Sequence, residues 1–439
     1  MEKLKSYISE LQSHQGFKKY FKNTSWLFIE RIFRLTVSFF VGVWVVRYLG
    51  PEEFGLFSYT QSFVSLFAVI ASLGLDEIII RELVKNPDKR DVLLGTAFGL
   101  KLFGVGLMLL MMGLGIFISG NDFYTNTLIL IIASSVIFQS FNVIDLYFQS
   151  KVLSKYIVYA HLISLTISAL LKVCFILTGM PLIAFVILVS FDAFVVALGF
   201  IYMYLQQRLT LWEWSFNLTY CKSILQDSWP IIFSGILLMM QARIDQIMIK
   251  EFLDYKEVGY YSAALRLVEA VAFFPIILKS SLFPAVQNVK DQTELYSNRM
   301  LNLYRLNFLL FLIVAVPILF FAQKAIDTLY GIDYIPSVML LQIMVLRLFF
   351  TNMGSARGVY ILTENLFKFS LLTMALGTLT NILLNLIWIP VYKSLGAVMA
   401  SMVSFFITIF LIDILYSKTR KNSYLIIKGI LSFYKIKLK

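Results

Sequence analysis

Twelve apolar runs of about twenty residues each, joined by short polar connections, constrain this chain more than anything else in it. They lie near 26–47, 58–80, 93–118, 124–148, 157–178 and 182–205, then near 228–250, 259–283, 301–323, 337–362, 369–389 and 396–416. Coiled into a helix at about 1.5 Å per residue, each reaches across the ~30 Å hydrocarbon core of a bilayer. Inside hydrocarbon every backbone N–H and C=O must be satisfied within the protein, so continuous apolar runs become helices. A membrane β-barrel would show ten-residue alternation instead. The chain is 59% apolar and only 15% charged, with a mean hydropathy of +0.79, against roughly half apolar and a quarter charged in a soluble domain. The expected fold is an all-α polytopic membrane protein with about twelve transmembrane helices.

The net charge of +12 is placed by topology. Lys and Arg crowd one set of connections (Arg81, Lys85, Lys89 and Arg90; Lys151 and Lys155; Arg208 and Lys222; Lys290 and Arg299; Lys368) and both tails. The opposite set holds little beyond Lys256, Lys324 and Lys393. This is the positive-inside pattern, so both termini are expected in the cytoplasm, and the excess charge does not call for nucleic acid. The domains expected are a cytoplasmic amphipathic N-terminus at 1–25, a six-helix bundle at 26–205 and a cytoplasmic linker at 206–227. A second six-helix bundle follows at 228–416, then a basic tail at 417–439, whose segment from Tyr424 suits the inner leaflet surface. The two cysteines, Cys174 and Cys221, form no disulfide framework, and the polar first residues lack the apolar core of a signal peptide.

An internal repeat organises the two halves. Tyr48-Leu-Gly-Pro-Glu-Glu-Phe-Gly55-Leu-Phe-Ser58-Tyr aligns with Phe252-Leu-Asp-Tyr-Lys-Glu-Val-Gly259-Tyr-Tyr-Ser262-Ala at an offset of 204. Each is the turn between the first two spans of its half. Six spans per half make the repeat parallel, with a pseudo-twofold along the membrane normal, a layout typical of transporters.

These same residues carry a family resemblance. Leu49-Gly50, Phe54-Gly55, Tyr59, Leu73-Gly74-Leu75 and Arg81-Glu82 resemble the first half of polysaccharide repeat-unit (O-antigen type) flippases. Arg243-Ile-Asp245, Val258-Gly259-Tyr260 and Ala264-Leu-Arg266-Leu resemble their second half. Those flippases belong to the multidrug/oligosaccharidyl-lipid/polysaccharide exporter superfamily. The resemblance implies two bundles in a V, a cavity lined mainly by spans one, two, seven and eight, and an undecaprenyl-diphosphate-linked oligosaccharide as substrate. It implies no cofactor, no metal and no catalytic residue. The partners expected are the lipid-linked oligosaccharide, membrane lipids, H⁺ or Na⁺ as coupling ion, and polysaccharide assembly proteins, in the bacterial inner membrane.

The charges within the spans point the same way. Cations there (Arg31, Arg34, Lys101, Lys172, Arg243, Arg266, Lys279, Arg305, Arg347, Arg357) outnumber anions (Glu30, Asp145, Asp192, Asp245, Glu269, Asp413). A charge at bilayer depth needs a partner or a wet cavity, and an uncompensated cationic interior suits an anionic ligand. Arginine's planar fork matches phosphate oxygens in pairs. Arg31, Arg34, Lys101, Arg243, Arg266 and Arg347 are therefore the candidate diphosphate contacts, and Asp245 and Glu269 the candidate ion-coupling carboxylates. Each has a plainer reading. Arg31 and Arg34 can snorkel to headgroups, Lys101 sits among packing glycines, and Arg266 and Glu269 are spaced for a pair on one helix face. Arg347 is expected either to line the cavity or to pair with Asp192 or another acid. Arg243 and Asp245 stand on opposite faces, so one ties its helix to a neighbour. Pro275 should kink span eight. His161 reads as a satisfied helix-end residue.

Two other functions fit less well. A multidrug exporter of the same superfamily should have an acidic interior. A membrane-embedded polysaccharide polymerase or transferase would need a sizeable outer loop, and 324–336 is short.

Overall fold

The computed structural model describes residues 15–435, all α-helical with short 3₁₀ and π segments and no strand among them. Residues 1–14 of the expected lead-in and 436–439 of the basic tail lie outside the described residues. The first part of the chain forms α1 (Gln15–Ser72), α2 (Asp76–Lys85), α3 (Arg90–Ser119), α4 (Phe123–Gln139), α5 (Val143–Ser150), α6 (Ser154–Leu177) and α7 (Leu182–Gln206). Then come α8 (Leu218–Phe252), α9 (Tyr255–Glu269), α10 (Phe274–Gln287), α11 (Thr293–Leu329) and α12 (Ser337–Thr363). The chain continues with α13 (Phe367–Tyr392), α14 (Ser394–Phe406), a π segment at Ile407–Leu411, α15 (Ile412–Leu415) and α16 (Arg420–Leu431).

Among the described residues eleven stretches are long and apolar enough to cross a membrane, against the twelve expected. The difference lies in α1. Its 58 residues would run about 87 Å as one straight helix, nearly three core thicknesses. Gly50 breaks it with φ 71° and ψ 173°, a conformation open to glycine, and Pro51 starts the next arm with its φ already set. Arms 15–49 and 51–72 are thus the first two spans, and twelve crossings result.

Helix ends are encoded locally. Asp122 caps α4 by accepting from the backbone N–H groups of Tyr124 (3.1 Å) and Thr125 (3.3 Å). Asp254 caps α9 through Glu257 N–H at 2.8 Å. Span eight departs from the expected kink. It is broken outright at 270–273, and Pro275 falls in the first turn of α10, where its missing N–H costs nothing.

The chain divides into two compact units, one of Met1–Val45 with Phe63–Ile236, the other of Val46–Ser62 with Leu237–Lys439. α1 and α8 each change unit within a helix. In the first unit, Leu75, Ile79, Leu93, Phe148 and Tyr204 pack into one core. The connection at 207–217 lies on that core, with Trp214 Nε1 donating to Tyr204 Oη at 3.1 Å. Of the four glycines around Lys101 expected to allow close packing, Gly95 and Gly104 do, because a Cβ there would strike the backbones of Ser215 and Ala71; Gly99 faces the Phe216 ring, and Gly106 has open space beside it. In the second unit, Tyr304, Met353, Val359 and Ile426 form the core. α16 packs on α11, where Tyr304 Oη donates to Asn422 at 2.6 Å. Large apolar side chains cover the outside: Phe117, Phe123 and Phe320 are 86%, 88% and 80% exposed. Water would not tolerate such a surface over this length, and hydrocarbon does.

The repeat is visible as a reciprocal contact inside the second unit. A Cβ on Gly55 would strike the backbone of Tyr255, and one on Gly259 would strike the backbone of Pro51. The repeat offset of 204 carries Pro51 to Tyr255 and Gly55 to Gly259, so each glycine touches the counterpart of what its own counterpart touches. Two segments related by a local twofold make such a contact, and only glycine lets the backbones come so close.

Candidate functional site

The best-defined polar site of the second unit is built around Asp245. α8 carries it on the face opposite Arg243, and its residue is 2% exposed. Three neutral donors from three other helices converge on the carboxylate. Tyr261 Oη of α9 donates at 2.6 Å, Asn385 Nδ2 of α13 at 2.8 Å and Ser401 Oγ of α14 at 2.5 Å. Asn381, one turn before Asn385, donates to Ser401 at 3.3 Å and accepts from Asn385 at 3.4 Å. Asn385 Oδ1 is buried and has no hydrogen-bond partner among the described residues. Beside it Gln246 donates to Ser262 at 2.8 Å and accepts from Ser62. No cation lies within ion-pair distance of Asp245 among the described residues. A buried carboxylate among oxygen and amide groups can hold a proton or a small hard cation. No group of three or more His, Cys, Asp or Glu suited to a metal occurs among the described residues.

The charged candidates distribute differently from their sequence spacing. Glu269 does not pair with Arg266 on its own helix. It reaches Arg243 of α8 at 3.3 Å, both side chains partly exposed. Glu269 is the last residue of α9, where the helix dipole disfavours an acid and the unwinding chain lets it swing to a neighbouring cation. Arg266 makes no hydrogen bond or ion pair among the described residues, although Glu269 and Tyr330 are near enough to act on it electrostatically. Arg347 pairs with no acid either. It lies over the Phe405 ring at 5.1 Å, while Asp192 is held by Lys172 at 3.5 Å and by Ser168 at 2.7 Å.

In the first unit Arg34 grips Glu30 one turn earlier through Nε and Nη2, with Nε at 2.6 Å. Arg31 is exposed and has no carboxylate partner among the described residues. Lys101 is buried, its Nζ 2.7 Å from Asp76 of α2. His161 is half-buried and packs edge-on against Phe200, as a structural residue would. Arg357, one of the span cations, forms a two-pronged pair with Asp413 at 2.7 and 2.8 Å, both residues buried. Five span cations meet carboxylates across helices or turns, and Arg31, Arg266 and Arg347 remain the candidate cations without one.

Sequence reading missed the neutral members of the Asp245 site, Tyr261, Asn381, Asn385 and Ser401. The available signal was the pair of asparagines four apart in an apolar run, which shares one helix face.

Broken helices, a buried carboxylate among apolar spans and, with the break at Gly50, twelve spans among the described residues define a multi-pass α-helical membrane protein. The chain belongs to the polysaccharide biosynthesis protein family, whose model matches residues 44–339. Its fold is similar to that of the lipid II flippase MurJ in an inward closed conformation, at 16% identity and TM-score 0.72, covering 92% of this chain and 91% of that one. It is also similar to an inward-facing multidrug resistance MATE family transporter of the MOP superfamily, at 17% identity and TM-score 0.71, covering 89% and 96%. No curated protein matches the chain by sequence.

Proposed function

We propose that this protein is a flippase for an undecaprenyl-diphosphate-linked oligosaccharide, an O-antigen or similar surface-polysaccharide repeat unit. It carries the lipid from the inner to the outer leaflet of the bacterial cytoplasmic membrane by alternating access, with both termini in the cytoplasm. The observation that carries this reading is that Arg31, Arg266 and Arg347 meet no carboxylate among the described residues, whereas Arg34, Lys101, Lys172, Arg243 and Arg357 do. A guanidinium held at membrane depth without a counter-charge is stabilised by an anionic ligand, and a diphosphate offers paired oxygens to its fork. Arg34, Lys101 and Arg243 are the further candidate contacts, each already ion-paired within its own unit.

A cation gradient resets the carrier through Asp245. The carboxylate, the free Asn385 Oδ1, Asn381 and Ser401 supply oxygen ligands from three helices, a set that fits Na⁺, and the same carboxylate fits a proton. Glu269 is the second coupling candidate, and its exchange between Arg243 and water would alter the charge presented to substrate.

The test is complementation of flippase-deficient strains that make different known repeat units. Wild-type protein should restore surface polysaccharide in at least one, and variants neutralised at Arg266 and Arg347 should insert normally while restoring at least tenfold less. Full rescue by both variants rejects the arginine assignment. Rescue in no strain, with drug efflux in its place, transfers the protein to the multidrug-exporter reading.

A further inference from the structure

We propose that α16, with the turn that follows it at Phe433–Lys435, is a binding site for anionic phospholipid on the basic side of the membrane. The site stands apart from the carrier reading, since it needs only that the chain spans a bilayer.

One face of α16 fixes it on the second unit. Tyr304 Oη donates to Asn422 at 2.6 Å, and a Cβ on Gly429 would strike Tyr304 Cβ at 2.7 Å. Arg305 donates to Ser432 Oγ at 2.9 and 3.0 Å and to Lys435 O at 2.9 Å. The Phe433 ring meets that of Phe308 at 5.5 Å. Contacts that run from Asn422 to Phe433 thus fall on Tyr304, Arg305 and Phe308, little more than one turn of α11. A helix lying beside α11 would spread its contacts over several turns, so α16 crosses it. α11 spans the bilayer, and the crossing comes near the start of its apolar run, at the end that carries Lys290 and Arg299. α16 therefore lies across the bundle at the depth where headgroups give way to acyl chains.

The face turned away from the bundle is apolar as well. Tyr424, Ile427 and Leu431 share one stripe at i, i+3 and i+7, with Tyr434 in the turn beyond, and all four are between 44% and 73% exposed. A helix apolar on two faces sits between two apolar phases. Here the inner one is the bundle and the outer one is acyl chain. A stripe of cations runs beside the apolar one. Lys421 and Lys428 are a heptad apart, hence within about 20° of each other round the helix, and Lys435 follows in the turn. All three are exposed, with Lys428 Nζ over the Tyr424 ring at 5.9 Å and Lys435 Nζ over the Tyr434 ring at 5.4 Å. None of the three pairs with a carboxylate among the described residues. One ligand matches exposed apolar side chains beside unneutralised ammonium groups: a lipid with a negatively charged headgroup. A zwitterionic lipid would cover the apolar stripe and leave the lysines unmet.

The experiment places a fluorophore on Ile427→Cys in the full chain, with Cys174→Ser and Cys221→Ser, in phosphatidylcholine nanodiscs. Quenching by phosphatidylglycerol and by phosphatidylcholine, each spin-labelled on its acyl chain, reports which lipid sits against α16. Both should quench, and phosphatidylglycerol should be preferred about fivefold or more, the worth of one lysine at a membrane surface. The preference should fall to near one when Lys421→Gln, Lys428→Gln and Lys435→Gln are combined, and likewise for the unchanged lysines in about 1 M NaCl. The lysines touch only tyrosine rings, so the triple variant should melt with its parent, and the salt arm decides if it does not. Quenching by neither lipid means that protein or water covers the stripe, and overturns the site. Equal quenching by the two lipids reduces the contact to ordinary bilayer packing and also overturns it. A phosphatidylglycerol preference that survives the lysine replacements, or salt where those misfold, rejects the lysine assignment. Each of these failures leaves the flippase reading untouched.

Discussion

Two carboxylates of the second unit are almost equally hidden and are held in opposite ways. Asp413 is fully buried and clasped by the Arg357 fork through both oxygens, with Phe369 against the guanidinium. Asp245 is 2% exposed and meets only neutral donors, Tyr261, Asn385 and Ser401. A paired ion has its counter-charge built in and resists change. An ion stabilised by hydrogen bonds alone keeps an unbalanced negative charge, which a mobile cation or proton can neutralise and then release. The first arrangement locks helices α12 and α15 together, and the second is the one we propose as the coupling site.

Three measurements test that contrast, in order of expected size. Asp413→Asn leaves Arg357 buried without its counter-ion, and should lower stability by about 3–5 kcal/mol. Thermal melting in detergent measures this. The double replacement Arg357→Met with Asp413→Leu should recover most of the loss, since it removes both charges from an apolar surround. If the double variant is no better than the single, the pair is more than a lock.

Asp245→Asn should cost less, about 1–3 kcal/mol for the acceptor it removes. Its signature lies elsewhere. The wild-type melting temperature should rise with added Na⁺, and the variant should not respond. A loss matching that of Asp413→Asn, with ion response retained, would make Asp245 another structural lock.

The smallest effect belongs to a carboxylate in the open. Asp122 caps α4 outside the spans, and its bonds from Thr125 and the backbone hold its carboxyl below the usual range. The folded value is the lower one, so its stabilisation is present above about pH 4 and fades as pH falls through the depressed value. Its exposure to solvent screens the effect. Asp122→Ala should cost about 0.5–1 kcal/mol, the low end for a helix cap, and remove that acid dependence. Hydrogen exchange at the start of α4 measures both.

How much of this was legible in advance differs by feature. The Tyr48–Tyr59 and Phe252–Ala263 repeat could be read because glycines at a fixed offset mark backbone requirements, and the reciprocal contact of Gly55 and Gly259 is where those requirements meet. Asp245 could be singled out as a charge in an apolar run. Its partners could not, because Asn385 and Ser401 are ordinary neutral residues 140 and 156 positions away. Which charges pair was hidden for the same reason. Arg357 and Asp413 are 56 residues apart, and only folding brings them to 2.7 Å.

The sequence by itself determined the apolar spans, the turn between the first two and the repeat. These follow from apolar run length, from helix-end chemistry and from backbone freedom, all local to a few residues. Tertiary structure alone decided which charges neutralise one another and which stay unmet. That choice depends on which helix faces pack together, and no spacing along a single helix records it. Glu269 shows the division most plainly. Its sequence offered Arg266 three residues away, and the fold gave it Arg243 on the next helix.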